Sequence, residues 1–381
     1  MEQLHFIGPM IRQLRLQRNW SQQTLCEGIC AVSYLSKIEL GKAAANHALI
    51  TDLLERFGVT WHHDPETVKK ALFLRDELYD AVFTNDPRQK SLLKQLNEQW
   101  DVLAFGPYYL DFMILRDFIQ DSSCTLAEET DSLLNPRQAC LVYMLRGQSD
   151  KAYRIYPCAF SAMICGSQAY HAGRYTAAQE MLQRAYDLAC QQGYVYIMML
   201  SQTFIANCYS DLQSFRAMER HYEIAARLAR SLNDQKLLKT IQYNIFSTRM
   251  ELGEYQSAYE YFSALDEPEP MELHKLAICC EKLGYPDEAL EALVRAEKQI
   301  NDPEHIHYQM CAIVRCRLEN SNYLHDEYYE TLLTETFQKM RRELPMGYAR
   351  FHLPWMQELL TANRQYRQAY ELLRDFTAER D

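Results

Sequence analysis

The stretch "WSQQTLCEGICAVSYLSKIELGK", Trp20–Lys42, sets two short amphipathic segments either side of a brief break. Ser21 stands where a helix N-cap is wanted, because its hydroxyl can accept from a first-turn N–H that has no partner. The segment behind it, "QQTLCEGI", puts Leu25 and Ile29 on one apolar face. Over Val32–Leu40, a helix advancing about 100° per residue collects Leu35, Ile38 and Glu39 on one side. Ser33, Ser36 and Lys37 fall on the other side, flanked by Tyr34, and Gly41 supplies the stop. One side is a core face with a carboxylate at its edge; the other is short, polar and basic.

Such a pair reads as a helix-turn-helix, whose second helix offers small polar and basic side chains to a DNA major groove while its back packs on the first. "IRQLRLQRNWSQ" supplies a preceding helix and "HALITDLLERFGV" a closing one. A carboxylate drawn into that bundle needs a cationic partner, and Arg12 is the expected partner of Glu39.

The 381-residue chain carries a net charge of −11, which argues against a surface coated for nucleic acid. Residues 1–63 nevertheless hold six Lys/Arg against five Asp/Glu, so the acidic excess lies beyond them. Any nucleic-acid contact is expected in this N-terminal segment. A basic excess of one is weak for a single copy, which points to a homodimer on a two-fold site in double-stranded DNA.

Hydrophobic residues at 48% and charged residues at 24% suit a chain that buries a core. No apolar run approaches the length of a membrane span and no charged-then-apolar leader precedes Phe6, so a cytoplasmic location away from membranes is expected. The 12 cysteines are scattered through helical segments such as "AICCEKLG", with no C-x-x-C pair. Buried free thiols in a reducing compartment are expected, with no metal and no cofactor.

From Pro65 onward the pattern is helix after helix, which makes the protein all-α. Five breaks share one layout, as in "AYHAGRYTAAQEMLQRAYDLA" and "RMELGEYQSAYEYFSAL": a turn, an aromatic, then a small residue opening the facing helix. That last position falls at Ala178, Met218, Ala258, Ala289 and Ala369, and a degenerate copy places Asp326 in the series. Neither helix of such a pair can bury its apolar face alone, so the pairs must stack. The expected division is 1–63 for the helix-turn-helix, 64–139 for a linker helix and divergent repeat helices, and 140–381 for the repeats.

"IRQLRLQRNWSQQTL…SYLSKIELGK" resembles the Xre/Cro-type helix-turn-helix, and "LCEGICAVSYLSKIELG" is similar to its PlcR/Rgg-like subgroup. The later breaks resemble tetratricopeptide repeats. Joined, the two resemble the RRNPP family, cytoplasmic regulators of Gram-positive bacteria that bind small signalling peptides. The resemblance implies a five-helix-type DNA-binding domain followed by a right-handed α-solenoid, and a transcriptional regulator active in quorum sensing. By family position Arg12 and Glu39 are structural, while Gln22, Ser33, Tyr34, Ser36, Lys37 and Lys42 are the DNA contacts. Leu40 departs from the polar residue usual at its place.

A peptide held in a groove of repeats brings its own amides, which must be hydrogen-bonded once buried. Asparagine suits this, having donor and acceptor together. Aligning the repeats on Met218 and Ala258 puts Asn207 and Asn244 on first helices near the concave side, with Tyr170, His171, Thr203, Ser210 and Asp211 also pointing inward. Three other readings compete: a small helical cap in place of the DNA-binding domain, a repeat scaffold acting on a response-regulator protein, and an enzyme. No nucleophile–base constellation, phosphate-cradling glycine loop or H-E-x-x-H favours the last.

Overall fold

A computed structural model describes residues 7–59, 65–99, 105 and 108–378. Among these residues every regular element is helical and none is a strand, in agreement with the all-α expectation. The chain forms two compact units, Met1–Cys165 with Arg184–Ile197, and Gly166–Gln183 with Met198–Asp381.

The first unit opens with α1 (Ile7–Gln17), α2 (Gln22–Cys26), α3 (Val32–Glu39) and α4 (His47–Arg56). Ile7, Ile11, Leu25, Leu35, Ile38, Ile50, Leu53 and Leu54 are the buried side chains that these helices share. Where α1 crosses α3 the backbones nearly touch: a Cβ on Gly8 would lie 1.8 Å from the Ile38 carbonyl oxygen, so only glycine fits. Beyond them follow α5 (Pro65–Phe83), α6 (Gln89–Asn97), α7 (Tyr109–Ile119), a 3-10 turn over Glu128–Leu133, α8 (Pro136–Leu145) and α9 (Ser149–Ile155). The start of α8 is fixed by a capping box between Asn135 and Gln138, with Pro136 in the first turn. Helix α1 also meets α7, where the Tyr109 hydroxyl donates to the Gln13 side chain.

Six helical hairpins follow: α10 (Ala159–His171) with α11 (Tyr175–Gln192), α12 (Val195–Asp211) with α13 (Phe215–Ser231), α14 (Gln235–Glu251) with α15 (Tyr255–Ser263), α16 (Pro270–Leu283) with α17 (Pro286–Ile300), α18 (Ile306–Glu319) with α19 (Glu327–Glu343), and α20 (Met346–Ala362) with α21 (Tyr366–Ala378). From α13 to α21 each helix packs on its successor. Five hairpins turn alike. Gly173, Gln213, Gly253, Gly284 and Arg364 lie two residues before the second helix, each with positive φ. That left-handed residue ends the first helix by closing its last carbonyls.

An aromatic stands at the first position of the second helix (Tyr175, Phe215, Tyr255, Tyr366), or just before it (Tyr285). Ala178, Met218, Ala258 and Ala289 are the fourth residue of their helices and are buried where the pair crosses; Ala369 is half-buried. The fifth hairpin departs from the expected register. Asp326 is not at a crossing but caps α19, its carboxylate accepting from the Tyr328 amide at 2.8 Å, and Tyr329 is buried beside it.

All 12 cysteines are free, and only Cys190 is exposed. Burial pushes the thiols of Cys279 and Cys311 up to about 12, which leaves them protonated and inert. No helix among the described residues is long and apolar enough to cross a membrane.

Candidate DNA-reading face and peptide cavity

The first candidate site is the outer face of α3. Ser21 caps α2 as its sequence requires, its Oγ accepting from the Thr24 amide at 3.0 Å. Helix α2 is shorter than the amphipathic pattern suggests, ending before Gly28, so Ile29 lies in the turn and is half-buried. On α3 the two sides separate as the helical period demands: Leu35, Ile38 and Glu39 are buried, Ser33, Tyr34 and Lys37 exposed, and Ser36 half-buried. Lys42 is exposed just past the helix end. The Tyr34 hydroxyl donates to the Ala44 carbonyl at 3.0 Å, tying the helix to the strand of chain that leaves it.

The buried carboxylate has a different partner from the expected one. Arg15, not Arg12, holds Glu39, through Nε at 2.6 Å and Nη2 at 2.9 Å, in a fork that matches both oxygens. Arg15 also donates to the Trp20 carbonyl at 2.8 Å. Arg12 instead reaches Glu129 at 3.5 Å, with the Glu129 side chain 55% exposed. The reason lies in the helical stripe: Ile7, Ile11 and Arg15 recur every four residues on the buried side of α1, and Arg12 is one residue off it. Gln22, expected on DNA, is half-buried and donates through Nε2 to Glu39 at 2.8 Å.

Four of the six basic residues in this region are committed to the fold. Besides Arg12 and Arg15, Arg18 donates to the Phe57 carbonyl at 2.6 Å and lies over the Phe57 ring. Arg56 donates to the Glu27 carbonyl at 2.7 Å and to that of Leu25 at 3.1 Å, closing the end of α2. The side chains of Lys37 and Lys42 make no hydrogen bond or ion pair among the described residues.

The second candidate site is a cavity of about 250 Å³ within the second unit. Six of the seven residues expected on an inner surface line it: Tyr170, His171, Asn207, Ser210, Asp211 and Asn244. Thr203 does not. It is buried, and its hydroxyl donates back to the Met199 carbonyl of its own helix at 2.9 Å. The Asn207 carbonyl oxygen accepts from the Tyr222 hydroxyl at 2.5 Å, and the Asn244 amide approaches it at 3.5 Å. Asn207 keeps its amide donors, and Asn244 its carbonyl, unengaged by any described residue. Together they offer a donor and an acceptor to a ligand's backbone.

Asp211 is committed elsewhere. It accepts from the Tyr175 hydroxyl at 2.9 Å, while Arg350 lies 3.7 Å away and also donates to the Asp211 backbone carbonyl. Burial raises the Asp211 pKa, and Arg350 and Tyr175 oppose that rise. Lys275 from α16 and Tyr348, Phe351 and His352 from α20, which the repeat spacing does not point to, line the same space. No spacing relates α20 to α12 and α14; only the fold does.

Residues 11–62 match the family model of the helix-turn-helix, the architecture that α1–α4 display. The chain thus carries a helix-turn-helix domain near its start, followed by a body of helical hairpins. Its fold is that of Rap proteins: the crystal structure of a Rap protein complexed with competence and sporulation factor aligns at 15% identity over 82% of this chain and 98% of that one, with a TM-score of 0.57. The Rap conjugation gene regulator of the plasmid pLS20, in complex with the Phr* peptide, aligns at 12% identity over 98% of this chain and 96% of that one, with a TM-score of 0.52. Bacillus thuringiensis PlcR, in complex with the peptide PapR7 and DNA, aligns at 12% identity over 62% of this chain and 99% of that one, but its TM-score of 0.33 is too low to define a shared fold. No curated protein matches the sequence.

Proposed function

We propose that this protein is a cytoplasmic, homodimeric transcriptional regulator of the RRNPP type, which binds a two-fold DNA site and is switched by a short signalling peptide, as in quorum sensing. In this reading residues 1–63 read DNA, 64–139 link, and 140–381 sense the peptide; the protein binds and does not catalyse. The observation that carries it is the outer face of α3, where Ser33 and Lys37 stand exposed while Glu39 behind them is clasped by Arg15. A helix so anchored presents its polar side as a rigid reading surface. Ser33, Ser36 and Lys37 are the base-reading candidates, Tyr34 and Lys42 the phosphate-side ones. Gln22 would act through its place at the start of α2, since its side chain is engaged with Glu39.

The peptide half is supported by the unengaged Asn207 and Asn244 groups, and by the Rap structure in complex with the Phr* peptide, which shares the fold. A second reading, a repeat protein that binds a response-regulator protein instead of DNA, draws on the Rap-like body alone. The two separate on one experiment. The full chain is offered a random duplex pool, and retained sequences are read after several rounds. Enrichment of a two-fold motif supports the regulator; a pool unchanged after selection overturns it.

A further inference from the structure

Within the cavity one side chain has no stated role and an unusual position. Lys275 on α16 is 5% exposed, lines the cavity, and makes no hydrogen bond or ion pair with any described residue. Its Nζ lies 2.9 Å from the centroid of the Phe351 ring. A ring face attracts an ammonium but cannot accept three N–H bonds, so the group stands at the cavity without an acceptor among the described residues. His352, fully buried on α20, adds an Nε2 with no partner, its Nδ1 being held by the Tyr348 carbonyl at 2.8 Å. His274 stacks on it at 5.8 Å.

We propose that Lys275, with His352 beside it, forms a carboxylate-binding subsite of this cavity, and that a ligand is anchored there through a carboxylate. This rests on the peptide-site reading and specifies the chemistry the peptide must carry. A buried ammonium without an anion is costly, and a ligand carboxylate supplies what the protein does not. Neither acid of the cavity wall does so. Asp211 is taken by Tyr175 and Arg350, and Glu251 acts on Lys275 only from beyond ion-pair distance, its own carboxyl pushed up to about 7 by burial. Burial lowers the Lys275 pKa, with Glu251 opposing, so an arriving carboxylate would raise it again. A space of about 250 Å³ suits one anchored residue rather than a whole peptide. The carboxylate is that of a peptide C-terminus or of an Asp or Glu side chain.

The test uses four pools of random N-acetylated hexapeptides, with free or amidated C-termini and with or without Asp and Glu. Each is incubated with the full-length protein, and the retained peptides are measured by mass spectrometry. The pool with no carboxylate should be retained about tenfold less or worse, the size of one charge-assisted hydrogen bond. Which single-source pool is retained identifies the source. Lys275→Met should make the pools equal, with Lys275→Gln as a second uncharged variant and melting measured on both. Equal retention of all pools by the wild type, or an unchanged preference in both variants, overturns the subsite while leaving a peptide site standing. Retention of no pool by the wild type removes the peptide site, and the subsite with it.

Discussion

Arg15 grips Glu39 with two bonds, of 2.6 and 2.9 Å, across the crossing of α1 and α3. Both side chains are nearly buried, so removing the cation strands the anion. Arg15→Ala should destabilise the helix-turn-helix by about 3–5 kcal/mol. Arg12→Ala should cost about 1 kcal/mol or less, because its pairing with Glu129 is partly solvated. Hydrogen exchange over residues 7–58 of the full chain distinguishes them; equal loss of protection in the two variants would contradict the pairing.

Lys37→Ala and Ser33→Ala should weaken specific DNA binding by about 1–3 kcal/mol each where a base contact is lost, with melting unchanged. Both side chains face solvent, so no core contact goes with them. Gln22→Ala should differ by lowering stability as well, since Glu39 loses a hydrogen bond. Operator titrations beside melting curves give the answer, and unaltered operator affinity in both of the first two variants would move the reading face elsewhere.

Asn207→Ala and Asn244→Ala should both weaken binding of the cognate peptide while leaving peptide-free DNA affinity nearly intact. They should differ in stability. Asn207→Ala leaves the buried Tyr222 hydroxyl without its acceptor, at a cost of about 1–3 kcal/mol, whereas Asn244→Ala leaves that acceptor in place. Calorimetric titration of wild type and both variants is the measurement; full affinity in both places the peptide elsewhere.

Acid should loosen the second unit. Burial, with the charge of Lys275 adding to it, lowers the His352 pKa from 6.5 to about 3, and His274 is held well below its ordinary value by burial and by His352. Below pH 6.5 the unfolded chain takes up protons that these folded rings refuse, so stability falls as pH drops towards 3. His352 contributes about 1.4 kcal/mol per pH unit in that window, and His274 adds to the fall in the same direction. Denaturant unfolding of His352→Phe between pH 6.5 and 4.5 should show the slope reduced by one ring; a slope equal to that of the wild type would refute the assignment.

The two sides of α3 were legible in the sequence because helical period alone parts Ser33, Ser36 and Lys37 from Leu35, Ile38 and Glu39. Arg15 was missed because two arginines of one helix satisfy the same charge argument. The spacing Ile7–Ile11–Arg15 held the answer, since a residue four places beyond two core side chains shares their depth. The hairpins were legible wherever a turn, an aromatic and a small residue recur, and failed at Asp326, where a cap stands in place of a crossing. In the cavity, Asn207 and Asn244 followed from aligning two adjacent hairpins. Lys275, Phe351 and His352 arrive on α16 and α20, and no local pattern records which distant helices come to face one another.

With Arg15, Arg18 and Arg56 bound up in holding α1–α4 together and Arg12 paired with Glu129, each copy would meet DNA with Lys37 and Lys42 as the unengaged cations among the described residues of that region. Few condensed counterions would then be displaced on binding. Quadrupling the ionic strength should weaken the hold of one copy by only about tenfold and that of a pair by about a hundredfold, far less than for proteins that neutralise many phosphates. Such a protein would keep its discrimination between sites across a wide range of osmotic conditions, because little of its affinity comes from the part of DNA that every sequence shares.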